Sequence, residues 1–143
     1  MATAAAIEPD LLQLAALNYG DQVRLAEEGL PTESVAQLRA LGISFTEVAE
    51  IVIPPRTLKH RIARGERLST EESERLLRVV RILAFADRVF GDHEKALGWL
   101  RIPDPRLPGS ETEDRSCLSL LRTEAGGKAV ESKLWAIAEG IYS

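Results

Sequence analysis

The sequence predicts an all-α chain, and three observations carry that prediction. Apolar residues recur at spacings of three and four, no run shows the period-two alternation of a half-buried strand, and most periodic runs start or stop on capping residues. The first apolar stretch, Leu11-Leu12-Gln13-Leu14-Ala15-Ala16-Leu17, ends at Gly20. It reads as a short docked helix or a frayed arm, so residues 1–22 are set apart as an N-terminal arm, helical or partly disordered. Pro31-Thr32 opens the next helix, with Val35, Leu38 and Leu41 evenly spaced before Gly42. Ser44 and Glu47 form a capping box, S-x-x-E, ahead of Val48 and Ile51-Val52.

That helix ends before Pro54, which disfavours helical geometry at Ile53, and Pro55 suits the first turn of a new helix. The new helix reaches Arg64, turns Leu58 and Ile62 inward, and stops at Gly65. A second capping box, Ser69 with Glu72, starts the longest helix, Thr70 to Phe90. Its stripe of Leu76, Val80, Leu83 and Phe90 is widened by Leu77, Val79 and Ile82, as in a helix that bridges two halves. Asp92 caps a helix bearing Ala96, Trp99 and Leu100. The stretch Pro103-Asp104-Pro105-Arg106-Leu107-Pro108-Gly109 cannot be helical. A short helix at Leu118–Leu121 and a last one from about Gly127 to Ile137 follow.

A chain of 143 residues holds one domain of ordinary size or two very small ones. With 45% hydrophobic and 28% charged residues it is globular, not disordered. Its apolar runs are too short to span a membrane, MATAAAIEPD lacks the pattern of a signal peptide, and a single cysteine suits a reducing compartment. The expected location is the cytoplasm, with no membrane partner.

The formal net charge of -4 is unevenly placed. Residues 1–53 carry only Arg24 and Arg39 against eight acids, whereas residues 54–81 carry a net charge of about +4. A short apolar helix, a tight turn and a basic helix make a helix-turn-helix arrangement. In that arrangement the second helix lies in the DNA major groove with its N-terminal residues near base edges. Arg56, Thr57, Lys59, His60 and Arg61 are types that reach phosphates or guanine, and Arg64 and Arg67 follow where backbone contacts are expected. The local pattern alone also fits a solvated helix face; the concentration of charge favours nucleic acid.

No catalytic, cofactor-binding or metal-binding set emerges. Cys117 has no histidine and carboxamide at a catalytic spacing and reads as a small core hydrophobe. Two histidines and one cysteine are too few for a zinc site, and Gly126-Gly127 lacks the spacing of a phosphate-binding loop. Trp99 and Trp135 read first as core or interface residues.

A set of ordered motifs adds what periodicity cannot. Ile53-Pro54-Pro55-Arg56-Thr57-Leu58 is followed by Gly65-Glu66-Arg67-Leu68-Ser69 and Glu71 to Leu77. Val89-Phe90-Gly91-Asp92, Glu94-Lys95-Ala96, Trp99-Leu100, Leu118 to Leu121, Thr123-Glu124-Ala125-Gly126 and Glu139-Gly140-Ile141-Tyr142 come after. From about Leu38 onward the chain resembles the Xre-type antitoxins of RES–Xre toxin–antitoxin modules. Its last part is similar to the C-terminal toxin-binding domain shared by Xre, MbcA and ParS antitoxins. The resemblance implies an Xre-like helix-turn-helix domain over residues 23–86 and a toxin-binding domain over 87–143, joined by the long central helix. It implies a non-enzymatic antitoxin without cofactor that represses its own operon at an operator. It also implies neutralisation of an NAD-degrading RES toxin by occlusion, with Glu139, Gly140, Ile141, Tyr142 and Ser143 reaching toward the toxin's pocket and Trp135 on the toxin-facing surface. The sequence departs from the family where an acidic insert, Glu111-Thr112-Glu113-Asp114, follows Pro108-Gly109. It departs again where Cys117 and Ser119 replace an expected proline and aspartate.

A second reading is a stand-alone helix-turn-helix regulator whose C-terminal part dimerises or binds a ligand. Two-fold operators call for a homodimer in either case, within a larger hetero-oligomer if a toxin is bound. The remainder of the Leu76–Phe90 stripe and the Leu-rich N-terminal segment are the candidate dimer faces.

Overall fold

Helices need a side chain to take up the free N–H groups of their first turn, and such residues set the element boundaries here. The computed structural model describes residues 10–111 and 114–140. Asp10 caps a 3-10 segment, Leu11–Ala16, by accepting from the N–H of Leu12 at 3.1 Å. Asn18 then accepts from the N–H of Asp21 at 2.8 Å and starts α1, Tyr19–Glu28. Gly20 therefore lies in the first turn of a helix and does not end one; the cap, invisible to hydrophobic periodicity, outweighs the poor helix propensity of glycine.

α2 (Glu33–Ala40) and α3 (Phe45–Ile51) follow, and both halves of the Ser44–Glu47 capping box are made. α4 (Pro55–Arg64) has proline at its first position and ends on Gly65 at φ 66°, the left-handed geometry expected of a helix stop. The Ser69–Glu72 box starts α5, Thr70–Phe90. α6 (His93–Arg101), a 3-10 segment (Leu118–Arg122) and α7 (Glu124–Ala138) complete the described elements.

α7 begins before the expected Gly127 because Thr123 accepts from the N–H of Gly126 at 3.0 Å. Gly126 and Gly127 thus lie inside the helix, for reasons of space. A Cβ on Gly126 would stand 1.9 Å from the carbonyl oxygen of Leu120, and one on Gly127 would stand 2.8 Å from the Arg78 side chain. Ser119 fills the place of the expected aspartate by accepting from the N–H of Ser116 at 3.1 Å.

α5 is the axis of the molecule. Leu76, Val79, Val80, Leu83 and Ala86 are fully enclosed, and the helix packs against α1, α2, α6, α7 and both 3-10 segments. Its apolar stripe is consumed by the fold, and Leu11, Leu12 and Leu14 are likewise packed on the core. Most of the apolar surface of both expected dimer faces is buried within the chain, with Leu17 exposed and Leu12, Leu14 and Phe90 half-buried.

Polar ties fasten the N-terminal helices to the later ones. Arg101 of α6 donates to both carboxylate oxygens of Glu47 at 2.8 Å and to the carbonyl of Gly42. His93 bonds the Leu41 carbonyl through Nε2 at 2.6 Å and the Asp87 carboxylate through Nδ1 at 2.9 Å. Arg78, buried on α5, donates to the Leu121 carbonyl at 3.0 Å. Among the described residues no helix is long and apolar enough to cross a membrane.

Candidate functional site

α3 and α4 form the helix-turn-helix pair, joined through Val52, Ile53 and Pro54, with Val52 and Ile53 buried in the core. α4 has no buried residue, and its outer face carries Arg56, Lys59, His60 and Arg64, all exposed. Thr57 is half-buried near the N-terminus. Among the described residues Arg56, Lys59 and Arg64 make no ion pair, and the first turn of α4 contains no acid. A cationic face without counter-charges is available to phosphates.

Two of the expected contacts are engaged elsewhere. Arg61 donates from Nε to Glu72 Oε1 at 2.8 Å and from Nη2 to Oε2 at 3.1 Å, with a further bond to Glu66. This two-pronged pair fixes the angle between α4 and α5. Burial works against the charge of Glu72, but the bonds from Arg61 and from the Ser69 N–H outweigh it and hold its pKa below the usual carboxylate range. Arg67 donates to the Gly29 carbonyl at 2.9 Å and ties the loop after α4 to the end of α1. The sequence pattern could not reveal either tie, because both partners lie on other elements.

Ile62 departs from its expected inward place. It is 58% exposed and, with Leu58 and Phe45, borders a hollow between α2, α3 and α4. α3 ends too early to cover the C-terminal half of α4, so Leu58 is packed and Ile62, one turn on, is not. Arg39 of α2 lies over the Phe45 ring at 5.7 Å.

The other end of the molecule carries the C-terminal set. Trp135 is 56% exposed on α7, its ring 4.9 Å from that of Phe85, beside Arg88, which sits over the same phenyl ring at 5.5 Å. Glu139 and Gly140 are exposed beyond the end of α7. Ile141, Tyr142 and Ser143 lie outside the described residues. On the opposite flank of α7 a hollow of about 620 Å³ opens between Phe90, Trp99, Ile102, Cys117, Lys133 and Ile137. Sequence reasoning missed it, because its walls come from α5, α6, the proline stretch and α7 together. Cys117 is buried, and burial pushes its thiol pKa up, as befits an unreactive core residue. Among the described residues no three metal-ligating side chains converge.

These two surfaces coincide with two family models. Residues 21–81 match the antitoxin Xre-like helix-turn-helix domain, and residues 85–140 match the antitoxin Xre/MbcA/ParS C-terminal toxin-binding domain. The chain is 36% identical over 113 residues to Antitoxin Xre of Pseudomonas putida, covering 79% of this chain and 68% of that one. The chain belongs to the Xre antitoxin family. A second relative, Antitoxin Xre of Yersinia enterocolitica, is 37% identical over 92 residues, covering 64% of this chain and 59% of that one. The Xre family's two domains meet on α5: the first match ends at Arg81, inside this helix, and the second begins at Phe85 of the same helix.

Proposed function

We propose that this chain is the antitoxin of a type II toxin–antitoxin pair. In this reading it binds a RES-domain toxin that degrades NAD and stops it by placing Glu139, Gly140, Ile141, Tyr142 and Ser143 in the toxin's substrate pocket, with Trp135 on the contacting surface. As a homodimer it represses its own operon, each α4 entering a major groove of the operator. Arg56, Thr57 and Lys59 lie toward the bases, while His60 and Arg64 reach phosphates.

The observation that carries this reading is the pairing of surfaces in one chain. A helix face on which Arg56, Lys59 and Arg64 make no ion pair among the described residues lies in the DNA-binding match, and an exposed helix end with an aromatic flank lies in the toxin-binding match. Acidic Glu139 suits a pocket shaped for an anionic dinucleotide, whose phosphates require cationic groups. The decisive experiment adds the purified chain to a RES-domain toxin encoded beside its gene and follows NAD consumption. Consumption should stop at stoichiometric antitoxin; unabated consumption contradicts the reading.

A further inference from the structure

We propose that the hollow between the C-terminal ends of α5, α6 and α7 is an anchor site for the toxin. It would take one large apolar side chain of the toxin, with a toxin carboxylate set against Lys133. The proposal rests on the antitoxin reading and adds the surface by which the partner is held outside its active site.

The chemistry of the walls defines the guest. Phe90 and Trp99 form an aromatic corner, their ring centroids 5.5 Å apart, and Ile102 stands 56% exposed at the rim. The hollow, about 620 Å³, is the size of sites that enclose a substantial apolar group. It stays open because α5 ends at Phe90, α6 ends at Arg101, and Pro103 and Pro105 prevent the chain from covering it with helix.

At its edge one carboxylate, Asp104, faces two cations, Arg106 and Lys133. Asp104 is held by Arg106 through contacts of 3.0 Å, and that neighbour brings its pKa down to about 2. Lys133 makes no ion pair among the described residues. A guest that is apolar and adjacent to a carboxylate meets both requirements. Aromatic anchors in pockets, ringed by polar contacts, are the residues that dominate protein–protein binding.

Position commits the site to the toxin. Ile137 lines the hollow, and the chain then runs through Ala138 and Glu139 to Gly140, the start of the segment assigned to the toxin's pocket. A toxin that receives residues 139–143 is thereby brought against the hollow. Trp135, two residues before Ile137, points about 200° away around α7. The toxin would straddle the helix end, and the two flanks can be tested separately.

The test uses the full chain with Ile102→Asp or Lys133→Glu, and Ile102→Ala as a milder companion. Both positions border solvent, so thermal unfolding and operator binding should stay as in the unaltered protein. Binding is measured by calorimetry against the purified RES-domain toxin encoded beside the gene. Ile102→Asp and Lys133→Glu should each weaken binding at least tenfold. Affinities within twofold of the unaltered chain would overturn the anchor site while leaving the antitoxin reading intact. Loss of self-association in the toxin-free variants would assign the hollow to a second copy of this chain and also overturn it. An unaltered chain that binds no RES toxin overturns both readings.

Discussion

At the scale of single residues, two glycines in helices show how space and propensity compete. Alanine normally stabilises a helix interior over glycine by about 1 kcal/mol. Gly98 of α6 has nothing within 4 Å of its would-be Cβ, so Gly98→Ala should raise the melting temperature. A Cβ on Gly126 would stand 1.9 Å from the Leu120 carbonyl oxygen, so Gly126→Ala should lower it, at a cost of about 1–3 kcal/mol. Thermal unfolding of both variants checks the pair, and a gain from both would contradict the packing of α7 on the 3-10 segment. His93 makes a second residue-scale claim. A neutral imidazole has one N–H, whereas bonds to the Leu41 carbonyl and the Asp87 carboxylate call for two, so the bonded form is the imidazolium. The Leu41 carbonyl raises the His93 pKa most; burial opposes it, and Asp87 and Asp92 add to the rise. With a folded pKa above the unfolded 6.5, the stabilisation is complete below that value and disappears as pH climbs through the folded pKa. The difference in melting temperature between the parent chain and His93→Gln should therefore shrink as pH rises above 6.5. A constant difference would show that the proton is not involved.

At the scale of elements, the recognition helix divides into residues that face solvent and residues that hold it in place. Alanine at Arg56, Lys59 or Arg64 should leave stability unchanged; at Arg64 it should reduce the salt slope of operator binding by about 1, and at Arg56 or Lys59 it should relax sequence preference. Arg61→Ala should instead destabilise the fold by about 2 kcal/mol, since it strips the buried Glu72 of a charged hydrogen-bonding partner. Denaturant unfolding beside filter binding separates the two classes; a stable Arg61→Ala with a reduced slope would place Arg61 on the DNA instead. This division marks the limit of what the sequence makes legible. Both capping boxes, the proline boundary between α3 and α4 and the glycine stop at Gly65 were readable, because each acts within a few residues of chain. The Arg61–Glu72 and Arg67–Gly29 ties were not, since they join residues 11 and 38 positions apart. α1 was missed because its start depends on an asparagine cap and its helix lacks a strong apolar stripe: Gln22 and Ala26 are its buried residues. The hollow beside α7 was illegible for the same reason as the ties, as no one segment contains it.

At the scale of the whole molecule, the net charge of -4 is an average over surfaces with different partners. The basic block lies on α4 and the start of α5, and the acidic remainder lies around it. The two surfaces lie in the two matched domains, which meet on α5. One core, with α5 at its centre, runs beneath both, and Glu47–Arg101 and Leu41–His93 join the N-terminal helices to α6 directly. The helix-turn-helix surface and the toxin-binding-domain surface thus stand on one shared core. Under the proposed function this scaffold neutralises a NAD-degrading enzyme. That function is tested most directly by NAD levels in cells that express the neighbouring RES-domain toxin with and without this chain. Depletion with the toxin alone and normal NAD with both is the expected result; equal depletion in both cultures would contradict the account.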